Sequence, residues 1–225
     1  LALVLEAWTK FQAPPPDSYE VPITKALLPI LKDLKLAQRL PVQIAREAIE
    51  DDREVVDTDP SGEGDDGDEE LEEDDKEEGR LDLVFRPTHT AREEVYLSFE
   101  CKRLNAKQSD GSIRPHAGAY VSQGMMRYVR GRYAHRMRDG GMIGYVLDGN
   151  LGTAQKGVND NIRRKRKKLR LVTPPDQMKA SCHLRDDPRV QETEHDLQGR
   201  RFRIHHVFLT CKRAAPVPPT KPGTA

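Results

Sequence analysis

Only three cysteines, Cys101, Cys182 and Cys211, occur in the 225 residues, and none forms a Cys-x-x-Cys pair. That argues against a disulfide framework and reads as reduced thiols. Cys182, His183, His205, His206 and Cys211 are zinc-ligand types, but their spacing fits no familiar finger, so no structural zinc is expected. Apolar runs near the ~18 residues of a membrane span are missing. The opening Leu-Ala-Leu-Val-Leu also lacks the basic flank and cleavage site of a signal peptide, so the expectation is a soluble, cytoplasmic protein without a membrane partner. A GxxxxGK[ST] phosphate loop is absent too, which argues against nucleotide-driven work, and there is no internal repeat.

The net charge of zero hides a strong segregation. Residues 50–78 hold 18 acidic residues against Arg53 and Lys76, so the remainder carries 35 basic against 19 acidic residues. A body with that excess of Lys and Arg favours a polyanion through phosphate neutralisation. The acidic run has almost nothing to bury and is expected to be a disordered insertion, either a solubilising loop or a DNA mimic that covers the basic surface.

Four regions are therefore expected: helices over residues 1–49, the insertion at 50–78, a core with a basic C-terminal part over 79–212, and a Pro-rich tail at 213–225. Residues 1–12 read as a helix stopped by Pro14, Pro15 and Pro16. A second helix starts near Tyr19, with Ile23, Leu27, Leu28, Ile30, Leu31 and Leu34 mostly at three-to-four spacing and a possible kink at Pro29. A third is expected over 42–49, another over 118–138 stopped by Gly140 and Gly141, then a strand at 142–147, and a basic helix over 159–171 ended by Thr173-Pro174-Pro175. Residues 176–199 carry no clear period, and 201–211 read as a last strand.

The chemistry concentrates after residue 79, where the period changes to two. Leu81, Leu83 and Phe85 alternate with Asp82, and Val95, Leu97, Phe99 and Cys101 alternate with Tyr96, Ser98, Glu100 and Lys102. If the apolar faces share a core, Asp82, Glu100 and Lys102 gather on the other side. Two carboxylates and the Cys101 backbone carbonyl form an oxygen donor set suited to Mg²⁺, with Mn²⁺ as a substitute. Lys102 returns to the same face, where an ammonium can orient water and stabilise developing charge. The bland alternative is an edge strand carrying a solvated Glu–Lys pair worth a few tenths of a kcal/mol.

Asp82 in GRLDLVF and Glu100-Cys101-Lys102 in YLSFECKRL, on consecutive strands, resemble the PD-(D/E)XK nuclease superfamily. The resemblance implies an α/β fold with a restriction-endonuclease-like αβββαβ core over about residues 19–147, its central mixed sheet flanked by helices. It implies a metal-dependent endodeoxyribonuclease of restriction, defence or repair type, with Glu20 of the leading helix joining the metal site and Gln123 of the later helix joining catalysis. Leu81 stands where the family's name has Pro, a position the family keeps loosely.

Gln123, Arg127 and Arg130 share one stripe of the helix expected at 118–138, which suits a phosphate backbone as well as solvent. The run Arg163, Arg164, Lys165, Arg166, Lys167, Lys168 and Arg170 reads as a second phosphate grip or as a solvated face. DNA is the expected partner, with RNA left open and a homodimer or partner subunit supplying specificity. The competing functions are a non-catalytic nucleic-acid-binding module on the same fold and an interaction protein whose acidic loop meets a basic partner.

Overall fold

The computed structural model describes residues 1–48, 80–90, 95–134, 136–172 and 176–211. The acidic insertion, Thr173-Pro174-Pro175 and the Pro-rich tail lie outside these residues.

Two helices open the chain. α1 (Ala2–Lys10) buries Val4, Leu5, Ala7 and Trp8 and ends at an extended Phe11, before the three prolines. α2 (Glu20–Ala37) buries Ile23, Thr24, Leu27, Leu31 and Leu34, a stripe at helical spacing, and carries Pro29 on its exposed side. Polar ties fix both to the sheet. The Trp8 indole donates to the Thr210 carbonyl at 2.8 Å. The Thr24 and Tyr145 hydroxyls meet at 2.9 Å.

β1 (Val42–Ala48) replaces the helix expected over 42–49. Ala45, Arg46, Glu47 and Ala48 are helix formers, but pairing with β2 (Arg80–Pro87), from Val42–Pro87 to Ala48–Arg80, outweighs that weak preference. β3 (Leu97–Leu104) then runs antiparallel to β2, and β4 (Ala106–Lys107) and β5 (Ile113–Arg114) form a small separate hairpin.

The helix expected over 118–138 is shorter and broken. It consists of α3 (Ala117–Ala119), a π turn (Tyr120–Met125) and α4 (Met126–Val129). Gly140 and Gly141 do not stop it; they lie inside β6 (Asp139–Val146), where a Cβ on Gly141 would collide with the Phe99 ring. α5 (Leu151–Arg164) begins earlier than the basic helix expected at 159–171 and ends before most of its charge. Lys165–Arg170 form turns, because like charges at adjacent helical positions repel and buried Leu169 pins the segment to the core. β7 (Lys179–Ala180), β8 (Val190–Leu197) and β9 (Arg200–Thr210) complete the chain.

The result is α/β with a seven-stranded mixed sheet in the order β1-β2-β3-β6-β9-β8-β7. β3, β6 and β9 are mutually parallel; β4, β5 and the helical segment at 117–129 connect the first two, and α5 with β7 and β8 connects the last two. α1 and α2 cover one face over Leu83, Phe99, Cys101, Ile143, Tyr145 and Leu209. The π turn and α5 cover the other over Leu81, Met142, Ile204 and Phe208. No helix among the described residues is long and apolar enough to cross a membrane.

Candidate active site

β2 does not alternate as its sequence implies. Ala45 faces Val84 while Glu47 faces Leu81, so β2 holds one residue more than β1 between these pairs. This bulge sends Leu81 to the α5 face while Leu83 stays on the α2 face. The ladder to β3 ends at Leu83–Phe99, and beyond it the Asp82 carboxylate takes over the role of backbone. Cys101 N–H donates to Asp82 Oδ2 at 2.7 Å. A residue in an extended strand points its N–H and C=O to the same side, so the Cys101 carbonyl also faces Asp82.

Glu100 lies on the opposite face of β3 from Phe99 and Cys101 and is only 1% exposed. Arg127 Nη1 donates to its Oε1 at 2.8 Å, and Lys102 Nζ stands 3.5 Å from the same atom. Glu100 Oε2 is buried and has no hydrogen-bond partner among the described residues. The π turn makes room for this carboxylate: a Cβ on Gly124 would collide with the Met142 side chain and reach 3.7 Å from Glu100 Cγ. Lys102 also approaches Glu20 Oε1 at 3.8 Å, and Arg103 Nε lies 3.8 Å from Glu20 Oε2 while stacking over the Tyr19 ring at 4.3 Å.

Burial raises the proton affinity of Glu100, and the neighbouring charge of Asp82 adds to it; Lys102 and Arg127 oppose both, leaving a pKa of about 7. Asp82 is likewise raised, chiefly by burial, against the Cys101 N–H and the Lys102 charge. For Lys102, burial favours the neutral form, but Glu100 and Glu20 outweigh it and the net shift is upward. Lys102 is therefore a cation and a poor base. Burial pushes the Cys101 thiol well up, so it is no nucleophile.

The donor set fits a hard divalent cation in part. The unsatisfied oxygen of Glu100, the Asp82 carboxylate and the Cys101 carbonyl are oxygen ligands of the type Mg²⁺ takes, with waters completing the shell. Among the described residues no group of three His, Cys, Asp or Glu side chains stands in position to hold a metal ion, so Glu20 does not complete such a triad. It sits on Lys102 and Arg103 instead.

Gln123, beside Gly124, is half-buried and hydrogen-bonds none of Asp82, Glu100 and Lys102. Arg127 has left the stripe it shares with Arg130 in an ideal helix: it turns inward to Glu100 and donates to the Tyr133 hydroxyl at 3.0 Å, while Arg130 stays exposed. Arg163 pairs with Asp160 at 3.0 Å and Arg166 with Asp176 at 2.7 Å; Arg164, Lys167 and Lys168 are exposed and Lys165 is half-buried. Asp196 N–H donates to the Arg170 carbonyl at 2.8 Å, which holds the basic run beside β8. Three strand spacings separate β8 from β3, about 14 Å. The cluster around Glu100 also includes Tyr133 and, toward Asp82, Arg46, neither of which the motif marks.

In comparisons with family models, with curated proteins and with solved structures, nothing matches the chain.

Proposed function

We infer that the chain is a metal-dependent nuclease of the PD-(D/E)XK type that hydrolyses phosphodiester bonds in DNA. The observation that carries this reading is the buried Glu100 carboxylate, one of whose oxygens is unsatisfied among the described residues, beside Asp82 and Lys102 at the point where two strands part. A structural ion pair has no use for an unsatisfied buried oxygen, which costs about 1–3 kcal/mol or more for a charged group. A ligand-binding carboxylate does. On this reading α2, β1, β2, β3, the helical segment at 117–129 and β6 constitute the restriction-endonuclease-like core.

Asp82, Glu100 and the Cys101 carbonyl would hold Mg²⁺ or Mn²⁺, which supplies positive charge to the phosphate and acidifies water. Lys102, kept charged by Glu100 and Glu20, orients the attacking water and offsets the charge that grows on the phosphate oxygens. Arg127 neutralises Glu100 until a ligand replaces it. The basic run beside β8 follows the DNA backbone away from the cut, and a second copy or a partner subunit supplies specificity.

The 2.8 Å pair of Arg127 with Glu100 favours one other reading, a nucleic-acid-binding module whose acids merely balance its cations. Incubation of supercoiled DNA, linear DNA and RNA with Mg²⁺, with Mn²⁺ and with chelator separates the two. Cutting that chelator abolishes is expected. Binding without cutting under every condition would replace the catalytic reading with the module.

A further inference from the structure

Arg46 lies on β1 opposite the β2 bulge, between the pairs Ala45–Val84 and Glu47–Leu81, so it confronts the segment that holds Asp82. Its Nε and Nη2 atoms are both buried, and neither has a hydrogen-bond partner among the described residues. These atoms form one edge of the guanidinium, with their N–H bonds parallel. That edge grips two oxygens of a phosphate or carboxylate at once.

A guanidinium cannot give up its charge, so its burial leaves a cation with open donors. Buried donors are nearly always satisfied, and an exception calls for a missing partner. Lys102, Arg103 and Arg127 each hold Glu20 or Glu100. Arg46 is different: its charge reaches Asp82 and lowers that group's proton affinity, yet no ion pair joins it to a carboxylate among the described residues.

We propose that Arg46 binds a backbone phosphate of the nucleic acid beside Asp82, with Nε and Nη2 donating to the two non-bridging oxygens. The identity of the ligand rests on the nuclease reading. Three carboxylates, Glu20, Asp82 and Glu100, repel a phosphate that approaches this end of the sheet. Arg46 offsets that repulsion from the β1 side, whereas Lys102 is already held by Glu20 and Glu100. Lysine cannot substitute fully, because it carries the charge without the fork.

The test uses the full chain in metal-free buffer, so no bond is broken, and a short DNA duplex. The Nε–H resonance of Arg46, assigned in the wild-type chain by through-bond correlation to its own backbone amide, is followed during titration, and affinity is measured over a series of salt concentrations for wild type, Arg46→Lys and Arg46→Gln. The resonance is expected to move as DNA is added. Arg46→Gln is expected to weaken binding about tenfold, the size of a charge-assisted hydrogen-bond pair. It should also reduce the slope of log affinity against log salt by about 0.9, one phosphate's worth. Arg46→Lys should keep the slope and lose affinity.

An Arg46 resonance that stays still while other resonances report binding overturns the proposal, even if the variants do not fold. So does Arg46→Gln with wild-type affinity and slope, and so does a wild type that binds no DNA. A protein that binds through Arg46 but cuts nothing with Mg²⁺ loses the catalytic reading and keeps this one. A protein that cuts equally well as Arg46→Gln does the reverse.

Discussion

Arg127 Nη1 stands 2.8 Å from the Oε1 of the buried Glu100, although β4, β5, α3 and the π turn lie between the two residues in sequence. Lys102 and, after it, Arg127 are the counterweights to the burial of that carboxylate. Removing the cation strands the anion, but only while it is an anion. Protonating a group of pKa about 7 at pH 8.5 costs roughly 2 kcal/mol, which caps the loss below the usual ~3–5 kcal/mol for breaking a buried pair. Arg127→Met is therefore expected to lose about 2 kcal/mol at pH 8.5 and far less at pH 5, by urea unfolding. Equal losses at both pH values would contradict the coupling.

Glu100 should itself oppose stability at alkaline pH. Its folded pKa is raised from 4.5 to about 7, so the folded protein holds a proton that the unfolded chain has released. The stabilising contribution is full below pH 4.5 and is lost as pH rises through 7. Glu100→Gln, in metal-free buffer, is expected to match wild type at pH 4 and to exceed it by roughly 3 kcal/mol at pH 8. Loss of stability at pH 8 would show that the ion pairs outweigh the burial.

An opposite pH dependence comes from a buried chain of hydrogen bonds. The Leu169 carbonyl can only accept, so His195 Nδ1 donates to it at 2.7 Å, Thr193 donates to His195 Nε2 at 2.8 Å, His206 Nε2 donates to Thr193 at 3.0 Å, and Tyr120 donates to His206 Nδ1 at 3.0 Å. Burial lowers His195 to about 4 and His206 well below its ordinary value. Both folded values are depressed, so this stability is present above pH 6.5 and is lost as pH falls toward 4. Thr193→Val leaves two ring nitrogens buried and unpaired, and urea unfolding at pH 7.5 should register a loss of about 2–3 kcal/mol. A neutral substitution would mean the chain contributes nothing.

Gly124→Ala tests the π turn. The new methyl must displace the Met142 side chain next to Glu100. A loss of about 1–3 kcal/mol is expected, together with impaired cutting, by thermal unfolding and nuclease assay. Wild-type values for both would show that Met142 yields freely.

Much of this arrangement is legible in the sequence. The stripe Ile23, Leu27, Leu31, Leu34 buries one helix face as its period implies, and Phe99 and Cys101 share one face of β3 as the alternation implies, although Ser98 and Glu100 on the other face are buried as well. β1 is hidden because Ala45 to Ala48 prefer a helix and only pairing with β2 decides. β8 is hidden because its burial is polar: Thr193 and His195 join the hydrogen-bonded chain, while Glu192 meets Lys179 at 3.5 Å and Arg203 at 3.7 Å. At the site, Asp82, Glu100 and Lys102 come together as spacing implies, though Asp82 does so through a bulge that no residue pattern announces. Arg46 is missed because it sits on the misread strand, and Arg127 turns inward because the π turn shifts its face.

On the nuclease reading, Lys102 serves chemistry and not binding. Lys102→Ala and wild type should be compared for DNA affinity without metal and for single-turnover cutting with Mg²⁺. Affinity within a few-fold of wild type and a rate lowered by about 100-fold or more are expected, the scale of losing one charge-stabilising group. Equal rates for the two proteins, or no cutting by either, would contradict the account.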